Sequence, residues 1–431
     1  MAGGTWETQN KVRPGAYVNF ETNSLNATGL DSKGSVVIPI ALDWGESGKF
    51  IKVTSNNDFK QLFGKTLSEL TPLREAFKGT GQVIVYNLNG TGEKATATSE
   101  PFIATANYGG SDGNKISVTV AIGLSGSSTV KTFFDGSQVD SQIVTTIDEL
   151  KSNAFVSFSG DLPSVDVTLT LVGGTTVTAT NESYSNFAEG LDTQDFKVLA
   201  VGTEDSSVKL LLTLKVKEWR EQQGKNVTLV TNDYNTADFE GVVSVINGVT
   251  LTGNEQLTAK ESLYWYAAAY ANSITNSLTY TEYPGAIDCE RKMHDEIVQA
   301  LKDGHIIYTF NNESVVVEQD INTFRSFTTK KNQDFRKNKL VRIMDIIQNN
   351  VQHVFTSYFI GKVDNNVDGR NIFKQQIITN VLDPLEQRGA LSYDVSELDV
   401  KQGQEKDSVV AILPVTLADS MEKLYMTVKC K

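Results

Sequence analysis

Hydrophobic and polar residues alternate with a period of two near both ends of the chain. This alternation covers residues 15–21 and residues 422–430. A period of two predicts a β-strand with one apolar face. The apolar faces of these two predicted strands carry Ala16, Val18, Phe20, Leu424, Met426 and Val428. Two such strands at the chain ends are uncommon, because chain ends usually fray unless they pair with another segment.

The pattern changes to strand–helix–strand after the middle of the chain. Apolar runs predict strands over 196–201 and 226–231, and a helix between them begins at Ser206 or Ser207 and stops at Gly224. Such a unit joins two parallel strands of one sheet. This part of the chain therefore indicates an α/β domain.

Residues 91–185 have a different composition, in which Thr, Ser and Gly dominate. Short alternating runs predict strands over 115–122, 154–159 and 165–172. The Gly173-Gly174 pair then predicts a hairpin turn. We interpret this region as an inserted all-β module, a small sandwich.

Two helices are predicted in the last third of the chain. One covers about residues 288–302. The clearest helix of the sequence covers 334–360, where apolar residues recur at spacings of three and four before Gly361 ends it.

Composition narrows the possible functions. The 431 residues include 39 Lys+Arg against 52 Asp+Glu, a formal net charge of −13. A length of about 150 residues per domain suggests roughly three domains. The acidic excess argues against nucleic acid as the main partner, because phosphate binding needs clustered Lys and Arg. No run approaches the roughly 20 apolar residues of a membrane helix, and the first residues lack the features of a signal peptide.

No pattern in the sequence predicts a catalytic centre or a cofactor. Two distant cysteines and three histidines argue against a disulfide framework, a zinc site or a His-rich centre. Gly109–Gly113 fits the G-x-S-x-G string of hydrolases, but a strand is predicted after it where that motif needs a helix, so a turn is favoured. Asp364–Gly369 resembles part of a calcium loop, yet Gln375 replaces the closing Glu. A helix-to-helix loop is favoured there, and calcium binding stays open.

The segment between residues 325 and 342 is strongly basic in an acidic chain. It contains one acid, Asp334, and seven cations, which gives a local charge of +6. The cations are Arg325, Lys330, Lys331, Arg336, Lys337, Lys339 and Arg342. Such a segment is either a solvated helix face or a docking surface for an acidic partner. So many cations within one short segment of a negatively charged chain slightly favour the docking of an acidic partner.

Four stretches together resemble a known family. They are residues 3–17, 107–118, 283–286 and 419–428, and they span nearly the whole chain. The sequence resembles the contractile tail sheath proteins of myovirus-type bacteriophages and of phage-tail-like particles from Gram-positive hosts. One departure is that Gly109-Gly110 stands where this family usually has Pro-Gly.

The resemblance implies a multidomain α+β and α/β fold. A subtilisin-like α/β core would be interrupted by the inserted β-sandwich and followed by a C-terminal α+β domain. The expected N-terminal arm with an exchanged strand covers residues 1–33, and the first part of the α/β scaffold covers 34–90. The sandwich is expected over 91–185 and the subtilisin-like domain over 186–332. A C-terminal domain with a long helix and an exchanged terminal strand is expected over 333–431.

The resemblance also implies a structural function without an enzyme activity. Subunits would polymerise around an inner tube and contract to drive it through the bacterial envelope, with both terminal strands donated to neighbouring subunits. The expected partners are further copies of the chain, the inner tube protein, and baseplate and tail-terminator proteins, with neither nucleic acid nor membrane insertion. We expect assembly in the cytoplasm of the bacterial host. By the same resemblance the long helix faces the tube, and the residues assigned to tube docking are Arg336, Lys337, Lys339 and Arg342.

Two alternatives stay open at this point. A surface-layer or other lattice protein would also polymerise, although it would normally carry a signal peptide. A subtilisin-type hydrolase would need Asp, His and Ser to converge in the α/β domain, where only His294 and His305 lie.

Overall fold

The computed structural model describes residues 3–4, 13, 15–17, 34–123 and 126–430. The chain divides into two compact units. The parallel-sheet unit comprises residues 1–36, 75–80 and 195–431. The sandwich unit comprises residues 37–74 and 81–194.

The described N-terminal residues contain two very short strands, β1 (Gly3–Gly4) and β2 (Ala16–Tyr17), which pair in parallel. The predicted N-terminal strand therefore has only Ala16 among its described apolar-face residues. Val18 and Phe20 lie outside the described residues.

Residues 36–87 contain three strands and two short helices: β3 (Val36–Ile40), β4 (Phe50–Val53), α1 (Phe59–Phe63), α2 (Thr71–Phe77) and β5 (Val83–Asn87). Strand β5 lies between β3 and β4 and is antiparallel to β4. All five residues of β5 and four of the five of β3 are buried. This explains why both strands are continuous apolar runs in the sequence.

The inserted module is a β-sandwich of two antiparallel sheets, as predicted. Its elements are β6 (Lys94–Ser99), β7 (Phe102–Gly109), β8 (Ile116–Ile122), β9 (Ser128–Phe134), β10 (Ser137–Val144), β11 (Val156–Ser159), β12 (Val167–Thr170) and the helix α3 (Asn181–Gly190). The strand orders are β10-β9-β8-β12 and β11-β7-β6. Side chains of both sheets share one core with Trp44. In β9 every second residue is buried, which is why the module appears as alternating runs.

The hairpin predicted at Gly173-Gly174 is wrong. Val172 bridges Thr96 and Val177 bridges Gly90, so the chain pairs with two earlier segments and does not fold back on itself. Glycine pairs fit hairpin turns, but here the neighbouring residues find partners that are distant in sequence.

The parallel-sheet unit continues with β13 (Val198–Val201), α4 (Ser206–Glu218), β14 (Thr228–Asn232), β15 (Val242–Val245), β16 (Val249–Leu251), β17 (Gln256–Leu257), α5 (Ala259–Asn272), β18 (Ala286–Cys289), α6 (His294–Lys302), β19 (His305–Ile306), β20 (Tyr308–Asn311) and β21 (Ser314–Val317). Strands β19, β15, β14 and β13 are neighbours in that order, and every pair is parallel. The predicted βαβ unit is therefore confirmed.

Two predicted helix starts in this unit need correction. Helix α4 is capped by Asp205, whose side chain accepts hydrogen bonds from the next turn, and neither predicted serine is the cap. The helix predicted from residue 288 begins at His294, because residues 286–289 form β18 against β16.

The C-terminal part contains α7 (Asn338–Val354), α8 (Val367–Ile377), α9 (Asp383–Glu386), β22 (Leu391–Tyr393), β23 (Asp399–Gln402), β24 (Val409–Ile412) and β25 (Val415–Leu417). Helix α7 is shorter than predicted, because a 3-10 turn precedes it and a π-turn follows it. Its apolar stripe packs against Leu385 and Val415. Residues 418–430 form neither helix nor strand, so the predicted terminal strand is not present in the single chain.

The segment Gly109–Gly113 is a turn, as predicted. A 3-10 helix over Ser111–Lys115 joins β7 to β8, without the helix that a nucleophile elbow needs. Gly110 has φ +142, and a Cβ atom there would lie 2.0 Å from the carbonyl oxygen of Asp43. Only glycine combines this backbone conformation with this close approach.

We predict that Gly110→Ala lowers the free energy of unfolding by at least about 2 kcal/mol, because it adds backbone strain and a backbone clash. Urea denaturation of the purified protein measures this. Gly81→Ala is the matched control, since a Cβ atom there meets nothing within 4 Å. Equal stabilities of the two variants would contradict the explanation.

Candidate functional site

The most unusual surface of the chain is its C-terminal arm, which we define as residues 418–430. The arm has no strand partner among the described residues, and its large apolar side chains are between 72 and 104% exposed: Met421, Leu424, Tyr425, Met426 and Val428. An exposed apolar segment of strand length is a template for pairing with another chain. The predicted apolar face of Leu424, Met426 and Val428 is thus fully available.

The base of the arm, in contrast, is held by the rest of the unit. The Glu422 carboxylate accepts hydrogen bonds from Thr279 Oγ1 at 2.9 Å, from Gln319 Nε2 at 2.7 Å and from Lys337 Nζ. Although burial works to raise it, these donors and the Lys337 charge hold the pKa of Glu422 below its ordinary value. The arm therefore leaves the unit at a fixed point.

The seven cations of the basic segment mostly meet groups of their own chain. Lys331 pairs with Glu240, Lys337 with Asp419 and Glu422, and Arg325 with Asp303. Arg336 donates to the carbonyl oxygen of Leu301, and Lys339 donates to Ser420 Oγ at 3.2 Å. Lys330 also has a partner. The local charge of +6 is therefore largely balanced by acids that lie far away in sequence.

Arg342 is the cation whose place differs most from a docking role. Its side chain is 6% exposed, and its Nη2 lies 2.9 Å from Asp320 Oδ2. Asp320 also accepts hydrogen bonds from the Tyr266 hydroxyl at 2.6 Å and from the Leu278 N–H at 2.9 Å. Burial opposes the charge of Asp320, but Arg342 and these donors lower its pKa. Arg342 thus cannot reach a partner surface in this conformation, which corrects its assignment to tube docking.

The other three assigned cations are half-buried. The Lys337 charge is engaged by two carboxylates. Arg336 and Lys339 have no carboxylate within ion-pair distance among the described residues, and burial lowers the pKa of both side chains. Of the four predicted docking residues, these two have the least neutralised charges.

A second buried ion pair joins α7 to the turn that follows α4. Arg220 donates to both carboxylate oxygens of Asp345, at 3.0 and 2.5 Å. Arg220 also donates to the carbonyl oxygen of Val227 at 3.2 Å. Burial disfavours the charge, yet Asp345 raises the pKa of Arg220 above its ordinary value. Two ion pairs, through Arg342 and Asp345, therefore fix one helix to the central part of the unit.

The geometry also bears on the hydrolase alternative. Ser244 Oγ lies 2.9 Å from His305 Nδ1, so the fold does bring a serine and a histidine together. However, the Ser244 side chain is fully buried, and its oxygen accepts a hydrogen bond from the Tyr234 N–H. No carboxylate of the described residues bonds His305. This pair satisfies buried polar groups between β15 and β19 and presents no nucleophile to a substrate.

The possible calcium loop serves to begin a helix. Asn366 caps α8 by accepting a hydrogen bond from the Gly369 N–H at 2.8 Å. The Asn365 amide donates to the carbonyl oxygens of Lys406 and Ser408. The described part of the chain holds no group of three or more His, Cys, Asp or Glu that could bind a metal ion. Nor is any of its helices long and apolar enough to cross a membrane.

Sequence reasoning missed the acids that complete this site. None of these acids was assigned a role. Asp320 pairs with Arg342 of α7, Asp345 pairs with Arg220 after α4, and Asp419 and Glu422 pair with Lys337 just before α7. Asp419 and Glu422 lie inside a stretch that carries the family resemblance. Only Asp320 and Asp345 lie next to the basic segment in the sequence, and this is the one signal that could have suggested internal counterions.

Four family models match consecutive parts of the chain. They are the tail sheath protein Gp18 domain III N-terminal region over residues 33–88, the phage tail sheath protein beta-sandwich domain over 90–186, the phage tail sheath protein central domain over 178–323, and the phage tail sheath C-terminal domain over 330–431.

Individual proteins are similar over the full length. The phage-like element PBSX protein XkdK of Bacillus subtilis strain 168 is 32% identical, and the match covers 100% of both chains. The crystal structure of the sheath tail protein of Desulfitobacterium hafniense is 32% identical, with 97% of this chain and 100% of that chain covered and a TM-score of 0.85. The helical sheath of the anti-feeding prophage in its contracted state shares the fold at 13% identity, with 99% of each chain covered and a TM-score of 0.56.

We predict that Asp345→Asn lowers the free energy of unfolding by about 3–5 kcal/mol, because it leaves the Arg220 charge buried without its partner. Urea denaturation at neutral pH measures the loss. The control is Asp288→Asn, which breaks an ion pair whose side chains are 63% and 44% exposed, and for which we expect less than about 1 kcal/mol. A loss no larger than that of the control would show that the buried pair does not hold α7.

Proposed function

Since the chain belongs to the phage tail sheath family, we propose that it polymerises around an inner tube and contracts to drive that tube through a bacterial envelope. The sheath family is structural and not enzymatic in phages and contractile injection systems. The protein is therefore a component of a phage tail or of a phage-tail-like particle. Synthesis and assembly in the host cytoplasm are part of the proposal.

The observation that carries the proposal is the exposed C-terminal arm. In one chain, the side chains of Leu424, Met426 and Val428 lie in solvent, which is unfavourable for apolar groups. Pairing with a strand of a neighbouring subunit satisfies the backbone of the arm and covers these side chains at once. We propose the same exchange for the N-terminal strand with Ala16, Val18 and Phe20, on the strength of its period-two pattern.

We further propose that contraction repacks rigid bodies while the exchanged strands stay connected. The two buried ion pairs of α7 support this, because they keep the helix and the central strands in one body. The parallel order of β19, β15, β14 and β13 supports a subtilisin-like topology for residues 186–332. We keep the domain boundaries given by the sequence, with the sandwich inserted over 91–185.

The inner tube is the proposed partner of the α7 side of the chain, and baseplate and terminator proteins are the proposed partners at the ends of the polymer. We narrow the tube-docking surface to Arg336 and Lys339, because Lys337 and Arg342 already pair with carboxylates of their own chain. Residual positive charge would favour an acidic tube surface.

We predict that deletion of residues 423–431 leaves a folded monomer that does not polymerise. The deleted side chains that the structure describes are exposed, so the melting temperature should stay unchanged while the association surface is lost. Sedimentation velocity and negative-stain microscopy measure the polymer. Deletion of residues 429–431 alone is the control and should still polymerise, and normal polymers from the longer deletion would refute strand donation.

We predict that Arg336→Glu with Lys339→Glu reduces the number of sheathed tubes by about tenfold, because it reverses the charge of the proposed docking surface. Co-expression with a tube subunit of the same particle and electron microscopy measure this, and polymerisation without the tube reports correct folding. Lys52→Glu with Lys94→Glu makes the same charge change at exposed positions of the sandwich unit. If both double variants sheathe tubes equally well, the docking assignment is wrong.

A further inference from the structure

The first residues of the C-terminal arm are held through polar side chains, although Met421 among them is fully exposed, and the arm is free after Glu422. The Glu422 side chain is 10% exposed, whereas Leu424, two residues later, is 84% exposed. Before this boundary, Asp419 lies 3.3 Å from Lys337 Nζ, and Ser420 Oγ accepts a hydrogen bond from Lys339. The structure thus separates the arm into an anchored base, residues 419–422, and a free part, residues 423–430.

The anchor gathers donors from three separate places in the chain. Thr279 lies between α5 and β18, Gln319 follows β21, and Lys337 directly precedes α7. All three donate to the one carboxylate of Glu422. A single residue held by three elements has little freedom to slide or turn. We call Glu422 and these three donors the clasp.

Electrostatics explains why an acid occupies this place. The first turn of α7 has no acidic residue, and Lys337 puts a cation next to its N-terminus. Positive charge near a helix N-terminus is unfavourable, because the helix dipole is positive at that end. The carboxylates of Glu422 and Asp419 supply the missing negative charge. The clasp is therefore stable within one chain, before any partner binds.

A fixed base matters because strand pairing depends on register. A slip of one residue would turn Leu424, Met426 and Val428 from the covered face to the opposite face. An extended chain advances about 3.3 Å per residue, so the position of Glu422 sets where each of these side chains can lie. Loss of the clasp would leave the arm apolar and exposed but without a defined starting point.

From these contacts we propose that the clasp is a positioning site for subunit exchange. It fixes the exit point of the arm and the register in which Leu424, Met426 and Val428 are presented to a second copy of the chain. This inference depends on the strand donation proposed above. It adds that Thr279, Gln319, Lys337 and Glu422 control assembly without themselves belonging to the exchanged strand.

The first test measures the arm in the monomer by limited trypsin digestion. Lys337→Glu leaves the arm sequence intact but replaces attraction to Glu422 with repulsion. Cleavage after Lys423, next to the clasp, should become about tenfold faster, while cleavage after Lys429 in the free part should stay unchanged as the internal reference. Unchanged cleavage after Lys423 would overturn the clasp.

The second test measures polymerisation of the full-length chain as a function of protein concentration. Lys337→Glu should raise the concentration needed for polymers by about tenfold, and the exchanged pair Lys337→Glu with Glu422→Lys should return it to within about threefold of the original. Glu397→Lys, a charge reversal at an exposed acid of the C-terminal part, should have no effect. Normal assembly of Lys337→Glu, or no recovery in the exchanged pair, would overturn the proposal.

A third variant covers the case in which Lys337→Glu does not fold. Gln319→Leu removes one donor without adding a charge and should raise the required concentration about threefold. An unchanged concentration would overturn the proposal as well. The failure of strand donation is recognised separately, because in that case the chain lacking residues 423–431 would itself polymerise.

Discussion

Two ion pairs that helix α7 makes inside the protein determine how the C-terminal part of the chain can act. Arg342 meets Asp320, and Asp345 meets Arg220, in each case with both side chains largely buried. A buried charge without its partner lowers the stability of the fold by several kcal/mol. Helix α7 therefore packs in this position only with both ion pairs formed. Their consequence is positional: once α7 is fixed, Lys337 at its start is fixed as well. The base of the C-terminal arm is bound to that lysine and therefore shares the same frame.

The chain thus neutralises most cations of its basic segment with its own acids, and it leaves the apolar side chains of the C-terminal arm exposed to solvent. The local charge of +6 over residues 325–342 suggests a basic surface for an acidic partner. However, acids that are distant in sequence form ion pairs with most of these cations. The arm has the opposite character, since its charged base is bound and its apolar end is exposed. For a protein that assembles with copies of itself, this division is favourable. The folded chain meets most of these charges without a partner, while the proposed association depends on burial of apolar surface and on strand pairing.

Local patterns predicted the elements of the fold well. The alternation over 115–122, the strand–helix–strand pattern over 196–231 and the apolar spacing of α7 all depend on neighbours within a few residues, and the structure has the corresponding elements. Predictions failed where residues that are distant in sequence determine the local structure or the charge partner. The Gly173-Gly174 segment does not form the predicted hairpin, because the flanking Val172 and Val177 pair with Thr96 and Gly90. The counterion of Lys337 lies 85 residues away, so no periodicity could indicate it. The place of Arg342 was mistaken for the same reason, since its charge in the sequence gives no information about its burial.

The central claim is that the C-terminal arm links one subunit to the next from an anchored base. A helical reconstruction of the polymer by cryo-electron microscopy, at a resolution that traces side chains, tests it most directly. The account predicts that residues 423–430 form a strand hydrogen-bonded to a neighbouring subunit, with Leu424, Met426 and Val428 covered and Glu422 still bound to Lys337 of its own chain. An arm that lies on its own subunit, or that remains unpaired in the polymer, would contradict the account.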